Sequence, residues 1–256
     1  MQAPSEPIFN VPAIVTLTLA VLCIVHGVRE LVLSPEADDL VLVYTAFIPA
    51  RYQSGGLHYP GGLGADAWTF VSYAFIHGGL MHLGLNALWF LIFASPVARR
   101  FGTPRFAAFF VTTAVAGALA HLATHLGDPS LMVGASAAIS GFMAAAMRFA
   151  FQRGGPLGLL GRRDDLAYRV KAASLVASFR DPRIVAFLAV WFGLNVLFGS
   201  GVALVGDSEQ PIAWQAHIGG FLAGLLGFSL FDPVGDAAAG GDDDDGAGAE
   251  AVSPQG

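Results

Sequence analysis

The chain has 256 residues, 55% of them hydrophobic and only 12% charged, with a mean hydropathy of +0.62. Soluble domains carry roughly 25% charged residues, so an ordinary soluble enzyme is excluded and an all-α, polytopic membrane protein is indicated. The net charge of −6 comes largely from one tail, the few basic residues lie in membrane loops and offer no nucleic-acid surface, and a single cysteine, Cys23, excludes an intrachain disulfide or a cysteine-built metal site.

About 20 apolar residues cross a bilayer core, and six stretches qualify: 11–33, 67–97, 106–126, 131–151, 184–201 and 213–231. The first is not expected to be a cleaved signal peptide, because it lacks a basic leading region and its apolar run is too long. It is followed by a long loop, 34–66. The second stretch is long enough to tilt or to begin above the lipid. The stretch 1–10 reads as a short N-terminal segment, 11–231 as the membrane domain, and 232–256, with its run GGDDDDGAGAE, as an acidic tail expected to be disordered and solvated.

Charge sets the direction. The loop with Arg99, Arg100 and Arg105, and the segment 148–183, hold eleven of the 13 Lys and Arg. The loops near Asp128 and near Asp207–Glu209 hold none. By the positive-inside rule both basic loops are expected in the cytoplasm. Six spans then place both termini there, in a multi-pass protein of a bacterial inner membrane.

Polar groups within spans are costly and are functional candidates by default. The second span contains FIHGGLMHLGLNALWF, in which His82 and Asn86 are four apart and share a helix face. Interhelical hydrogen bonding alone would account for them. The fourth contains VGASAAISGF, with Ser136 and Ser140 among small residues. The sixth contains AHIGGFLAG, with His217 near its outer end and Gly220 and Gly224 spaced for close helix approach. Spans four and six both run inward, and Ser136 and His217 lie about five and about four residues into them, so their depths agree. Small residues on span four (Ala137, Gly141 and Ala145 on one face) opposite Gly220 and Gly224 would bring a serine hydroxyl within reach of an imidazole.

A serine hydroxyl becomes a nucleophile when a base takes its proton. His217 is the candidate base. No Asp or Glu lies within the core of a span, so a dyad is expected rather than a triad with a carboxylate. The same lack of carboxylates counts against an ion-coupled transporter. His82 and Asn86 carry N–H groups of the kind that stabilise an oxyanion, and the Ser136 backbone N–H is a further donor.

The set HGGLMHLGLN, GASAAISG and AHIGG, with the loop charges and the long first loop carrying FIPARY (47–52), resembles the rhomboid intramembrane serine proteases across the six-span core. The resemblance implies that Ser136 is the nucleophile and His217 the general base, and that His82 and Asn86 contribute to the oxyanion hole. It implies transmembrane protein substrates cut within or near a helix, close to the outer face, after lateral entry past the fifth span. A lipid bilayer is the medium; no cofactor, no metal and no nucleic acid are expected. One departure stands out: the family usually has Gly after the nucleophile, and this chain has Ala137. That substitution leaves room for a non-catalytic relative that binds transmembrane clients. Ser140, one turn on, is the alternative nucleophile by spacing. His77, His121 and His125 read as structural or interfacial, His26 and His58 as part of no constellation, and Asn195 and Trp191 as a helix–helix contact and an ordinary aromatic, with the lining of a gate as the alternative. Neutral His217 is needed as base, so activity is expected to rise with pH through the imidazole range.

Overall fold

The computed structural model describes residues 11–55, 58–158, 165–199 and 213–234. They form α1 (Ala13–Leu31), α2 (Pro35–Thr45), α3 (Gly62–Ser72), α4 (Leu80–Phe101), α5 (Thr103–His125), α6 (Ser136–Met147), α7 (Leu175–Arg180), α8 (Pro182–Gly199) and α9 (Trp214–Phe231). No strand is formed among them; one antiparallel bridge, Phe47 to Met132, is the nearest approach to a sheet. α1, α4, α5 and α9 are long and apolar enough to cross a membrane; α6 and the apolar part of α8, Pro182–Leu197, are shorter.

Two of the expected spans differ from the sequence reading. The second, expected as one helix over 67–97, is two helices. α3 ends at Ser72, a 3-10 turn follows at Tyr73–Phe75, and Ile76 is extended before α4 begins. Paired glycines, Gly78 and Gly79, weaken helix propagation there. Arg29 fixes the break: its guanidinium donates to both Asp38 carboxylate oxygens at 2.7 and 2.9 Å and to the His77 carbonyl at 2.8 Å. The fourth span, expected over 131–151, is helical only for the 12 residues of α6, about 18 Å at the α-helical rise. Before it, the chain runs extended. Met132 pairs with Phe47, and the Gly134 N–H donates to the Tyr73 carbonyl at 2.9 Å. Non-helical backbone at membrane depth is tolerated where protein rather than lipid surrounds it.

That condition holds here, because α6 lies at the centre. Every residue from Ala137 to Met147 is buried, and α4, α5 and α9 pack around it. Phe142 on α6 meets Phe90 of α4 edge-on at 5.7 Å and stacks on Phe106 of α5 at 4.6 Å. α8 rests on this bundle through a smaller cluster, in which Ile184 and Leu188 meet Met143, Met147, Phe221 and Leu225.

α4 and α5 are separated by Gly102, whose φ of 73° favours glycine. The first loop is strapped to the α5–α6 turn: Phe47 and Met132 exchange backbone hydrogen bonds at 3.0 and 2.8 Å, and the Ala50 N–H donates to the Asp128 carbonyl at 2.9 Å. The Asp128 carboxylate accepts from the Ser130 N–H at 2.8 Å, and that hydrogen bond holds its carboxyl below the usual carboxylate range. Asp181 accepts from the Arg183 N–H at 2.9 Å at the start of α8. The starts of α4, α6 and α9 and the end of α8 thus share one end of the bundle; the basic segments share the other.

Candidate active site

The approach of α6 to α9 is made by small residues, as the sequence pattern predicts. A Cβ on Gly220 would collide with the Ala137 carbonyl, and one on Gly224 with the Gly141 backbone. Gly141 in turn faces Thr113 of α5. Backbones this close leave only a side-chain length between the first turns of the two helices.

Ser136 is the first residue of α6 and His217 the fourth of α9. Their side chains meet in a hydrogen bond of 2.7 Å between Ser136 Oγ and His217 Nε2, inside the range expected of a nucleophile and its base. Both residues are half-buried. Ser140, the other serine, is buried and donates to the Ser136 carbonyl at 2.8 Å. Its hydroxyl is spent on its own helix.

Ala137 points away from this hydroxyl. The space that a Cβ on Gly117 would need is taken by the Ala137 methyl. The extra carbon relative to the usual glycine is therefore absorbed by a glycine on α5.

His82 approaches from α4. Gly134 has φ 116°, and a Cβ there would lie 2.7 Å from His82 Nε2 and 3.8 Å from Ser136 Oγ. Only glycine both adopts that backbone and leaves the space, so this position lets the His82 ring lie against the chain beside the serine. Asn86, one turn below, is buried and donates from Nδ2 to the His82 carbonyl at 2.9 Å. One N–H of that amide is thus committed to its own helix and the other remains. The first N–H groups of α6 have no partner within the helix and carry the positive end of its dipole. His82 thus lies beside Ser136 at the start of α6, and Asn86 lies one turn further along α4 against the His82 carbonyl.

Two contacts were not foreseen. His77 is fully buried, and its ring stands edge-on to His82 at 5.1 Å. Asn195 of α8 accepts at Oδ1 from His217 Nδ1 at 2.5 Å. By sequence Asn195 reads as a helix contact, since a lone Asn in an apolar helix carries no signal of which neighbour it meets. His121 and His125 stack on each other at 4.2 Å at the end of α5. No group of three or more His, Cys, Asp or Glu able to hold a metal occurs among the described residues.

A Rhomboid domain profile matches residues 64–232, which spans α4 to α9 and all of the residues just described. The chain belongs to the rhomboid family. It is 33% identical over 95 residues to Rhomboid-related protein 3 of Homo sapiens, covering 37% of this chain and 23% of that protein. It is 28% identical over 168 residues to RHOMBOID-like protein 4 of Arabidopsis thaliana, covering 65% of this chain and 35% of that one. The rhomboid chain therefore spans about a quarter to a third of the length of these relatives. Family membership carries with it the polytopic helical bundle and a membrane location.

Proposed function

We propose that this rhomboid protein is an intramembrane serine endopeptidase that hydrolyses peptide bonds within or near transmembrane helices of other membrane proteins. The observation that carries the reading is the 2.7 Å hydrogen bond from Ser136 Oγ to His217 Nε2. Ser136 Oγ attacks the scissile carbonyl carbon while its proton passes to Nε2. The carbonyl oxygen becomes an oxyanion, held by donors from His82, Asn86 and the N-terminal N–H groups of α6. Collapse expels the amine, which takes the proton back from His217, and leaves an acyl group on Ser136. Water, deprotonated by the same nitrogen, then releases the acid and restores the serine.

The basic end of the bundle is assigned to the cytoplasm by its arginines. That assignment puts both termini inside and the serine just below the outer face. Substrates are then transmembrane proteins, met in the plane of the bilayer.

The test uses the purified chain in lipid vesicles, with a serine-directed fluorophosphonate and a panel of reporter transmembrane helices. Labelling and cleavage are expected for the wild type and neither for Ser136→Ala. Labelling that persists in Ser136→Ala moves the nucleophile elsewhere. A folded wild type that is neither labelled nor active replaces this reading with that of a relative that binds transmembrane clients without cutting them.

A further inference from the structure

We infer that Asn195 is a positioning residue for His217, holding the imidazole in the one neutral tautomer that can accept a proton from Ser136; this rests on the protease reading above. The Asn195 amide is itself fixed. Its Nδ2 donates to the Trp191 carbonyl one turn back at 2.8 Å, so the atom it turns to the ring is Oδ1. An amide oxygen only accepts. His217 Nδ1 must therefore carry the hydrogen in the Nδ1···Oδ1 contact. A neutral imidazole has one N–H, so Nε2 is left with its lone pair, and it faces Ser136 Oγ. When Nε2 takes the serine proton, the positive charge spreads to Nδ1–H, which already points at the negative end of the Asn195 dipole.

The choice of an amide suits the surroundings. A carboxylate here would be an ion within the membrane whenever His217 was neutral, and such ions are costly. The amide polarises the ring with no net charge. Burial points the same way. Asn195 is 8% exposed, whereas its neighbours on α8, Leu194 and Val196, are 44% and 61% exposed. The polar residue is on the inward face, and leucine would fill that place without a desolvation cost.

Among the described residues, His82 on α4 is the titratable side chain beside Ser136; Ser136 of α6 and Asn195 of α8 bring no charge. A shift of the acid limb of the pH profile on changing residue 195 therefore reports on the 195–217 contact.

The experiment compares full-length wild type, Asn195→Leu and Asn195→Asp in the same vesicles with one reporter helix. Asn195→Leu is expected to lose about 10- to 100-fold in kcat, the worth of a hydrogen bond to a charged group, with KM and the melting temperature unchanged. Asn195→Asp restores the acceptor, keeps activity, and moves the acid limb to higher pH, because a carboxylate favours the imidazolium. Equal loss in both variants with an unmoved acid limb, or wild-type kcat in Asn195→Leu, overturns the inference. Should Asn195→Leu fail to fold, the acid limb of Asn195→Asp decides alone. Nitrogen-15 shifts of the His217 ring, assigned by difference from His217→Ala, read the tautomer without turnover. A protonated Nδ1 in a wild type that cleaves nothing would sink the protease reading and keep this one; an unprotonated Nδ1 in an active wild type would do the reverse.

Discussion

At the scale of single residues, His82 and Asn86 differ in how directly they reach the serine. The His82 ring lies against Gly134, whose absent side chain would otherwise stand between ring and hydroxyl. Asn86 has already given one N–H to the His82 carbonyl. Removing one oxyanion donor costs about 2.7–4 kcal/mol of transition-state stabilisation, or 10²–10³ in kcat. The full cost is expected for His82→Ala. For Asn86→Ala the fall is expected to be smaller, about tenfold, since its donor is shared and its loss also frees the His82 carbonyl. Steady-state kinetics on one reporter helix reads both, and equal losses would show that the two donors act alike. Span direction and helix periodicity bring a serine of the fourth span to the depth of His217 before any coordinates, but spacing leaves both Ser136 and Ser140 open, and it is the resemblance that points to Ser136. The place of Asn195 was not legible. Its bond to Trp191 is the ordinary retreat of a polar side chain onto its own helix, and only the position of α9 shows where the oxygen goes.

At the scale of helices, the Ser136–His217 contact depends on a separation that glycines set. Gly220 and Gly227 are both on α9 and seven residues apart, but their surroundings differ. A Cβ on Gly220 would strike the backbone of Ala137, whereas one on Gly227 would meet only Phe231 Cε2, at 3.9 Å. Gly→Ala within a helix gains about 1 kcal/mol of propensity. Gly227→Ala is therefore expected to leave stability equal or higher and activity intact. Gly220→Ala is expected to lose about 1–3 kcal/mol through overpacking, and more activity than stability, because moving α6 from α9 lengthens the Ser136–His217 bond directly. Thermal unfolding beside cleavage rates tests the pair; equal behaviour of the two variants would deny that this contact sets the gap. The glycine spacing was visible as a pattern. Hydropathy did not reveal that the fourth apolar stretch is helical only from Ser136, or that the second breaks before Leu80. An apolar run has the same composition whether it is helical or extended. The break is fixed by a guanidinium 48 residues earlier in the chain, and the late start of α6 by pairing with Phe47, 85 residues before Met132.

For the molecule as a whole, an ion pair holds each end of the bundle. At the serine end Arg29 pairs with Asp38 beside the start of α4, while the contacts of Ser136 and His217 are between neutral groups. At the basic end Arg100, next to the α4–α5 corner, donates to both carboxylate oxygens of Asp232 at 2.8 Å and from Nη1 to the Tyr168 and Val170 carbonyls at 2.8 Å. Its guanidinium lies over the rings of Phe149 and Phe228, at 4.7 and 5.5 Å from their centroids. One ion pair thus joins the α4–α5 corner, the segment after α6 and the end of α9. Periodicity could not foresee it: Arg100 reads as a loop charge and Asp232 as the first residue of an acidic tail, 132 positions away. With side-chain exposures of 0% and 7%, the pair obeys the rule for buried charges. Removing one partner strands the other, at a cost of about 3–5 kcal/mol, while replacing both with apolar groups is far milder. Asp232→Leu alone is expected to melt well below the wild type, and Arg100→Leu with Asp232→Leu to recover most of that loss, a non-additivity typical of contacting residues. Because the pair lies at the end opposite Ser136, the folded fraction of each variant is expected to label with fluorophosphonate at the wild-type rate. A double variant no more stable than Asp232→Leu would mean that the arginine holds the corner through its carbonyl and aromatic contacts rather than through the ion pair.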